Sequence, residues 1–186
     1  MVIFLIGFMG CGKSTMGCSV AKRLDYGFID MDHDIEERTG MSVAEIFERH
    51  GEAFFREQEQ AAIERYTEMS NTVVATGGGA PCTGDNMERL NRAGITVYLK
   101  MSPEKIAVRL SSLGRDKRPL LRGKNDAEIL AYIRERLPQR EPFYTQAALV
   151  INAEGVNNEY IAEHIAAFIE HQTKQNSFNA NLTKSK

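Results

Sequence analysis

The stretch that decides the fold is Gly7-Phe8-Met9-Gly10-Cys11-Gly12-Lys13-Ser14-Thr15, called the phosphate loop below, which fits the pattern G-x-x-x-x-G-K-[ST]. An apolar run at residues 2–6 precedes it, and a helix-compatible stretch at 15–24 follows. A glycine loop between a strand and a helix directs its amides and the helix N-terminus at phosphate. In this pattern the lysine contacts the β- and γ-phosphates and the serine hydroxyl binds Mg²⁺. The sequence therefore predicts a site for a nucleoside triphosphate.

Length, charge and cysteine usage limit the classes of protein. With 186 residues, the chain is long enough for one well-buried domain and short for two. A formal charge of −2 gives no global basic field, so nucleic acid is not an expected partner. No apolar run approaches the roughly 20 residues that cross a membrane, and the early motif leaves no room for a cleaved leader. Three cysteines without metal-ligand spacing favour a reducing compartment. We expect a cytoplasmic monomer without a membrane partner.

Short apolar runs alternate with long helical patterns, which predicts a parallel sheet between helices. The expected strands are 2–6, 27–29, 72–75, 95–99 and 149–151. Ser42 with Glu45 forms a capping box, and Asn125 with Glu128 repeats its logic. Gly51 is expected to divide the stretch 43–69 into two helices. The domain is expected over 1–172, and the polar segment 173–186 is expected to be a disordered tail.

Three aspartates, Asp30, Asp32 and Asp34, follow the second predicted strand. The carboxyl ends of parallel strands face the ligand crevice of an open sheet. A carboxylate placed there can hold Mg²⁺ through water or accept a proton from an attacking hydroxyl. The alternative is that Asp32 or Asp34 caps the next helix, and the sequence leaves this open.

Two arginines are candidates for binding an anion. Arg56 follows two adjacent phenylalanines, and at helical spacing it can pair with Glu52 or Glu59 on a solvated surface. An arginine held against apolar surface can instead present its fork to a carboxylate. Arg140, near the end of a helical pattern, is a second candidate anion contact.

Three consecutive glycines, Gly77, Gly78 and Gly79, follow the predicted strand at 72–75. Glycine loses much backbone entropy on folding, and one turn rarely needs three of them. Close approach of the chain to a ligand, with amides as donors, explains the triplet better.

A basic segment at about 114–124 contains Arg118 followed by Pro119, which discourages a continuous helix. A solvated charged loop is one interpretation. Beside a phosphate loop, such a segment can close over the nucleotide, expel water and place an arginine on the transferring phosphoryl group.

These motifs together resemble the shikimate kinase family. The similarity runs from residue 2 to about 171 and follows the family's order of motifs. They are G-F-M-G-C-G-K-S-T, I-D-M-D, F-F-R-E-Q-E, T-G-G-G-A, and R-P-L-L followed by R-E-P-F-Y. The phosphate loop is shared by many ATPases, whereas the conjunction of the other four motifs is specific.

The resemblance implies an α/β fold: a P-loop NTPase domain of the nucleoside-monophosphate-kinase type, with a five-stranded parallel sheet sandwiched between helices and a mobile lid at about 114–124. The implied reaction moves the γ-phosphoryl of ATP to the 3-hydroxyl of shikimate with Mg²⁺, in the pathway to chorismate and aromatic amino acids. Two rivals remain: gluconate kinase or another small-molecule kinase of this fold, and a regulatory nucleotide-binding domain without transfer chemistry.

The resemblance also implies roles at the nucleotide. Lys13 and the loop amides would hold phosphate, Ser14 would ligate Mg²⁺, and Asp30 would orient the metal through water. The loop at 152–156 reads N-A-E-G-V where many relatives carry a basic residue, so Arg109 or Arg115 is the candidate adenine contact. The residues expected to contact ATP are Gly10, Cys11, Gly12, Lys13, Ser14, Thr15, Arg109 and Arg118.

At the acceptor, the resemblance implies that Asp32 contacts shikimate hydroxyls and acts as the base. Arg56 and Arg140 would grip the shikimate carboxylate, and Glu59 would position Arg56 or the substrate. The residues expected to contact shikimate are Asp32, Arg56, Glu59, Gly77, Gly78, Gly79 and Arg140. The expected catalytic residues are Lys13, Asp32 and Arg118.

Cys11 is not required by any rule of phosphate binding. The positive potential of the loop amides and Lys13 favours a reactive thiolate there. The alternative is a side chain that points into the core as a small hydrophobe.

Overall fold

Five apolar segments form a parallel β-sheet, and its central strand leads into the phosphate loop. The computed structural model describes residues 1–112 and 118–184, with side chains described as far as residue 174. The strands are β1 (Val2–Ile6), β2 (Gly27–Asp30), β3 (Thr72–Ala75), β4 (Gly94–Lys100) and β5 (Leu149–Asn152). Their order is β2-β3-β1-β4-β5, and every pairing is parallel. The five strands predicted from the sequence are confirmed to within a residue at each end.

Helices connect the strands and cover the sheet. They are α1 (Lys13–Leu24), α2 (Met31–Thr39), α3 (Val43–Arg49), α4 (Gly51–Thr67), α5 (Asn86–Ala93), α6 (Pro103–Ser112), α7 (Asp126–Tyr144) and α8 (Asn158–Lys184). Every residue of β1 is buried, which requires helices on both faces of the centre of the sheet. The carboxyl ends of β1, β2 and β3 therefore open at one edge, where the connections to α1, α2 and the glycine triplet meet.

The predicted helix starts are confirmed. In α3 the Ser42 hydroxyl accepts a hydrogen bond from the Glu45 amide at 3.2 Å, and the Glu45 carboxylate accepts one from the Ser42 amide at 2.9 Å. Asn125 and Glu128 form the same reciprocal pair at the start of α7. Gly51, with φ of +81°, separates α3 from α4 as expected.

The cap of α2 differs from both candidates that the sequence offered. Asp30 caps the helix, because its Oδ1 accepts a hydrogen bond from the Asp32 amide at 3.1 Å. Asp34 instead ties α2 to α4: its Oδ2 accepts hydrogen bonds from Arg65 and Tyr66, each at 2.7 Å. Partial burial raises the pKa of Asp34, but these two hydrogen bonds and a third from Arg38 outweigh that rise. The net result is a pKa below the usual range of an aspartate. The tie fixes the helix that carries Asp32 against the helix that carries Arg56.

The last helix is longer than expected. Residues 173–184 continue α8, where the sequence predicts a disordered tail. No glycine or proline occurs after Gly155, so nothing in the sequence stops a helix once α8 has begun. Within the described ranges, no helix is both long and apolar enough to cross a bilayer.

The three cysteines lie in different surroundings. Cys11 is 2% exposed and belongs to the apolar core, with its Sγ 3.9 Å from the Lys13 ammonium. Cys18 is exposed on α1, and Cys82 is half-buried. The structure favours the interpretation of Cys11 as a small buried hydrophobe rather than a reactive thiol.

Iodoacetamide is expected to modify Cys18 first and to leave Cys11 unmodified in the folded protein, because alkylation needs an accessible thiolate. Cys82 should react slowly, since burial raises the pKa of its thiol to about 11. Mapping adducts by mass spectrometry gives the order, and Cys18→Ser should lose the fast adduct. A Cys11 adduct that forms before the Cys18 adduct would contradict the burial seen here.

Candidate active site

Two adjoining cavities lie at the carboxyl edge of the sheet. The nucleotide-side cavity, about 440 Å³, is lined by the phosphate loop. The acceptor-side cavity, about 280 Å³, is lined by side chains of α2, α3, α4 and α7 together with the glycine triplet. Four residues line both cavities: Met9, Asp32, Gly78 and Arg118. The two cavities therefore form one cleft with a shared wall.

The phosphate loop lies at the base of the nucleotide-side cavity. Gly12, with φ of +98°, precedes the first residue of α1, and Gly10 has φ of +82°. A Cβ on Gly10 would also lie 2.9 Å from the Leu110 side chain, so this turn requires glycine in both respects. All the predicted loop contacts, residues 10–15, line this cavity.

The Lys13 side chain is hydrogen-bonded to the backbone of the phosphate loop. Its Nζ donates hydrogen bonds to the carbonyls of Gly7 at 2.8 Å and Phe8 at 3.0 Å, and the residue is 8% exposed. Beside it, the Ser14 hydroxyl donates to Asp30 Oδ2 at 2.5 Å. The structure thus brings together the serine and aspartate expected at the metal, and hard oxygen atoms are the ligands that Mg²⁺ prefers.

Asp32, in the first turn of α2, lines both cavities of the cleft. Asp32 is exposed to the open cleft, yet desolvation by the protein that surrounds the cleft, reinforced by the neighbouring Asp30 carboxylate, raises the pKa of its carboxyl group to about 6. The positive charges of Lys13 and Arg118 oppose that rise. A carboxylate with a pKa close to neutrality is suited to accepting a proton from a hydroxyl.

Arg56 is held by two carboxylates of its own helix. Its Nε and Nη2 donate to Glu52 Oε1 at 3.2 and 2.7 Å, and its Nη1 donates to Glu59 Oε2 at 2.6 Å. The Arg56 side chain is 18% exposed and that of Glu59 is 1% exposed, so the pairing with Glu59 lies in a cavity wall. One N–H group on each terminal nitrogen remains for a ligand. The two interpretations of Arg56, helix ion pair and anion fork, are therefore compatible.

Glu59 is a buried carboxylate with unused hydrogen-bonding capacity. Its Oε1 has no hydrogen-bond partner among the described residues. Burial raises the pKa of Glu59 to about 7; the Arg56 guanidinium opposes that rise, and the Asp32 carboxylate adds to it. Glu59 is hydrogen-bonded to Arg56, and its expected role in positioning Arg56 or the substrate stays a prediction.

The glycine triplet packs closely against the rest of the site. A Cβ on Gly77 would collide with Glu59 Oε1, and one on Gly79 would lie 2.5 Å from Arg56 Nη1. A Cβ on Gly78 would lie 3.0 Å from the Met9 backbone nitrogen. The close approach predicted for the triplet is thus an approach to the protein's own phosphate loop and charged side chains, in the wall of the acceptor-side cavity.

Arg140 reaches the same cavity as Arg56 from a different helix. It lies on α7, and its guanidinium stacks over the Phe8 ring with Cζ 5.2 Å from the ring centroid. It forms no ion pair within the residues that the structure describes, so its charge faces the cavity without a carboxylate partner. The two arginines, distant in sequence, therefore converge on one cavity.

The structure describes Arg118, the arginine of the predicted lid, and Arg109, one of the two candidate adenine contacts. Arg118 lines both cavities, and burial lowers the pKa of its guanidinium while Asp32 opposes that effect. Arg109 lines the nucleotide-side cavity and donates from Nη1 to the Cys11 carbonyl at 3.2 Å. Arg115 and the rest of 113–117 lie outside the described residues. In the loop after β5, Ala153 lines the cavity, whereas the Glu154 carboxylate accepts a hydrogen bond from the Ser102 amide.

Sequence reasoning missed the apolar wall of the acceptor-side cavity. Val43 and Phe47 of α3 and Leu120 contribute to it. The signal was present as apolar residues directly after a capping box, but helical spacing alone does not distinguish a core face from a cavity wall.

Comparisons with known proteins agree with these observations. The shikimate kinase family model matches residues 9–170. A shikimate kinase from Bacteroides thetaiotaomicron is 45% identical over 161 residues, covering 87% of this chain and 91% of the relative. The crystal structure of a shikimate kinase from that organism superposes with a TM-score of 0.83 at 41% identity, covering 94% of this chain and 98% of that one.

Two further structures place the fold. A shikimate kinase from Acinetobacter baumannii in complex with shikimate has a TM-score of 0.83 at 35% identity, covering 92% of this chain and 93% of that one. A gluconokinase from Sinorhizobium meliloti, at 17% identity and a TM-score of 0.59, covering 96% of both chains, shares the fold alone. The P-loop kinase fold implied by the family resemblance is confirmed. With most of its length matched at this level of identity, the chain belongs to the shikimate kinase family.

Proposed function

We propose that this protein transfers the γ-phosphoryl of ATP to the 3-hydroxyl of shikimate, giving shikimate 3-phosphate and ADP. The observation that carries the proposal is the convergence of Arg56, Arg140 and the glycine triplet on a small cavity that adjoins the phosphate loop. Shikimate is a small anion with one carboxylate and three hydroxyls. Two arginines suit its carboxylate, and an aspartate with backbone amides suits its hydroxyls.

The proposed nucleotide site uses the larger cavity. The loop amides and Lys13 hold the phosphates, and Ser14 with Asp30 holds Mg²⁺, with Asp30 acting through water. The oxygen pair fits this ion, since Mg²⁺ is usually bound by one or two carboxylates together with waters and substrate phosphates. When bound, the ion neutralises charge on the phosphate oxygens. Arg109 is the proposed adenine contact, because it lies over the loop in the same cavity.

The proposed acceptor site uses the smaller cavity. Arg56 and Arg140 clamp the shikimate carboxylate, and amides of the glycine triplet add further donors. Asp32 accepts the proton of the attacking hydroxyl, for which a pKa of about 6 leaves it mainly ionised at neutral pH. Arg118, which lines both cavities, then faces the phosphoryl group as it moves between them.

A steady-state assay with shikimate, with gluconate and without an acceptor separates the three candidate functions. ADP formation that depends on shikimate supports the proposal. ADP formation with gluconate alone would favour the other small-molecule kinase, and no transfer to any acceptor would favour a regulatory domain. We further propose that the protein acts as a monomer in the cytoplasm.

Lys13→Ala and Asp32→Ala are each expected to lower kcat, but for different physical reasons. The first removes the charge that follows the transferring phosphoryl, so kcat should fall by about 10²-fold or more. The second removes the base, so kcat should fall by about 10²- to 10⁴-fold while ATP still binds. Steady-state kinetics and calorimetry of ATP binding measure both. Lys22→Ala in the last turn of α1 and His33→Ala beside Asp32 are the matched controls. Loss of ATP binding in the Asp32 variant would show that this residue is misassigned.

Arg56→Lys and Arg140→Lys are each expected to raise the shikimate KM by about 10- to 100-fold although the charge is kept. A lysine cannot reproduce the forked contact with a carboxylate, and a charge-assisted hydrogen bond contributes about 1.5–3 kcal/mol. Arg89→Lys is the matched control, because Arg89 also pairs with two carboxylates, Glu64 and Asp85, but lines neither cavity of the cleft. A wild-type KM in both cavity variants would rule out the clamp.

The lid at about 114–124 is expected to be mobile without ligands and ordered when both substrates are bound. Closure would exclude water, which otherwise competes with the acceptor for the γ-phosphoryl. Hydrogen exchange should show slower exchange in this segment with shikimate and a non-hydrolysable ATP analogue, with β1 peptides as the internal reference. Equal exchange in the two states would make the segment an ordinary surface loop.

A further inference from the structure

Tyr144, the last residue of α7, is fully buried and lines neither cavity of the cleft. Its ring packs against the Tyr98 ring with 5.1 Å between centroids. Its hydroxyl donates a hydrogen bond to the Gly78 carbonyl at 2.5 Å, and the Arg140 guanidinium lies close to the same hydroxyl. The roles proposed above do not use this tyrosine, yet it contacts Gly78, one of the four residues that line both cavities.

The hydrogen bond from the Tyr144 hydroxyl to the Gly78 carbonyl constrains one peptide unit of the glycine triplet. The Gly78 carbonyl and the Gly79 N–H belong to the same planar trans peptide and point in opposite directions. A hydroxyl that holds the carbonyl on the Tyr144 side therefore turns the Gly79 N–H to the other side, and Gly79 lines the acceptor-side cavity. Glycine offers little resistance to rotation of this unit, so an external anchor is needed to fix its orientation.

The remaining groups of the triplet show which donors are free. The carbonyls of Gly77 and Gly79 accept hydrogen bonds from the amides of Ala80 and Cys82 at 3.2 and 2.9 Å. The Gly77 amide contacts the Met31 sulfur at 3.4 Å. Among the described residues, the amides of Gly78 and Gly79 have no acceptor. Each carbonyl of the triplet thus has a donor, and two of its N–H groups have no acceptor among the described residues; Gly78 is half-buried, and Gly79 is buried against Arg56.

We propose that Tyr144 is a positioning residue, which fixes the Gly78–Gly79 peptide so that the Gly79 N–H donates to the shikimate carboxylate between the two arginines. Arg56 packs directly over Gly79, and Arg140 lies one helical turn before Tyr144 on α7. One residue therefore sets the direction of the amide relative to both guanidinium groups. This inference rests on the proposed function, because it assigns the free amide to the acceptor's carboxylate.

The Tyr144 hydroxyl keeps its proton, and so remains a hydrogen-bond donor, at neutral pH. Burial raises the pKa of Tyr144 well above its ordinary value, with the Cys82 thiol adding to that rise and Arg140 opposing it. The phenol therefore stays protonated wherever the protein is folded and active. Without the hydroxyl, the Gly78 carbonyl would lose its donor in a buried setting, which favours rotation of the peptide toward another partner.

Tyr144→Phe tests the inference because it removes the hydroxyl and keeps the ring. We expect the shikimate KM to rise about tenfold, the effect of losing one well-aligned hydrogen bond to a charged group, with kcat and the ATP KM within about twofold of wild type. Tyr98→Phe, at the partner ring, is the matched control and should change none of the three. An unchanged shikimate KM, or equal losses in all parameters with a lowered melting temperature, would overturn the positioning role.

A second measurement does not depend on turnover. In protein labelled with ¹⁵N-glycine, Tyr144→Phe should shift the Gly79 amide resonance without any ligand, and shikimate should shift it less in the variant than in wild type. An identical Gly79 resonance in the two proteins overturns the inference even if KM changes. Failure of the wild-type protein to phosphorylate shikimate would instead overturn the proposed function, while the ligand-free spectra would still test the link from hydroxyl to peptide.

Discussion

The structure depends on the absence of side chains at Gly77, Gly78 and Gly79. Because these positions carry no Cβ, the Glu59 carboxylate, the phosphate loop backbone and the Arg56 guanidinium can all approach the same short segment. A methyl group at any of the three would displace one of these neighbours. The segment follows β3, which pairs with the central strand β1, so the sheet delivers the triplet directly beside the loop that follows β1. The two cavities are adjacent because this contact is possible.

Charge balance in the cleft follows from that close packing. Burial raises the pKa of Asp32 to about 6 and that of Glu59 to about 7; the Asp30 carboxylate adds to the first rise, and the Asp32 carboxylate adds to the second. Lys13, Arg56, Arg118 and Arg140 oppose the effect from the surrounding walls. An excess of fixed positive charge with partly suppressed carboxylates favours anionic ligands on both sides of the shared wall. The arrangement suits a phosphoryl donor on one side and a carboxylate-bearing acceptor on the other.

Local signals in the sequence were enough for the strands, the capping boxes and the phosphate loop, because each depends on residues only a few positions apart. The cap of α2 could not be chosen in this way, since Asp30, Asp32 and Asp34 are equivalent by residue type and the end of β2 decides which of them precedes the first helical turn. The partners of Asp34, Arg65 and Tyr66, lie 31 and 32 positions away. The side-chain direction of Cys11 likewise depends on how the loop packs. The residues of the site were predictable as types in motifs, whereas their hydrogen bonds required the tertiary structure.

The shared wall between the cavities explains why so few residues need to contact both substrates. Met9 and Gly78 contribute backbone and bulk, whereas Asp32 and Arg118 contribute opposite charges that face each other across the point where the cavities meet. A proton-accepting carboxylate and a charge-stabilising guanidinium are the two groups that a transferring phosphoryl requires at once. Asp32 is fixed by the cap of α2 and by the tie of that helix to α4. Arg118 lies in the segment at about 114–124 that is proposed as the lid. In the proposed function, the site therefore combines a base held by the helices at the edge of the sheet with an arginine carried by the proposed lid.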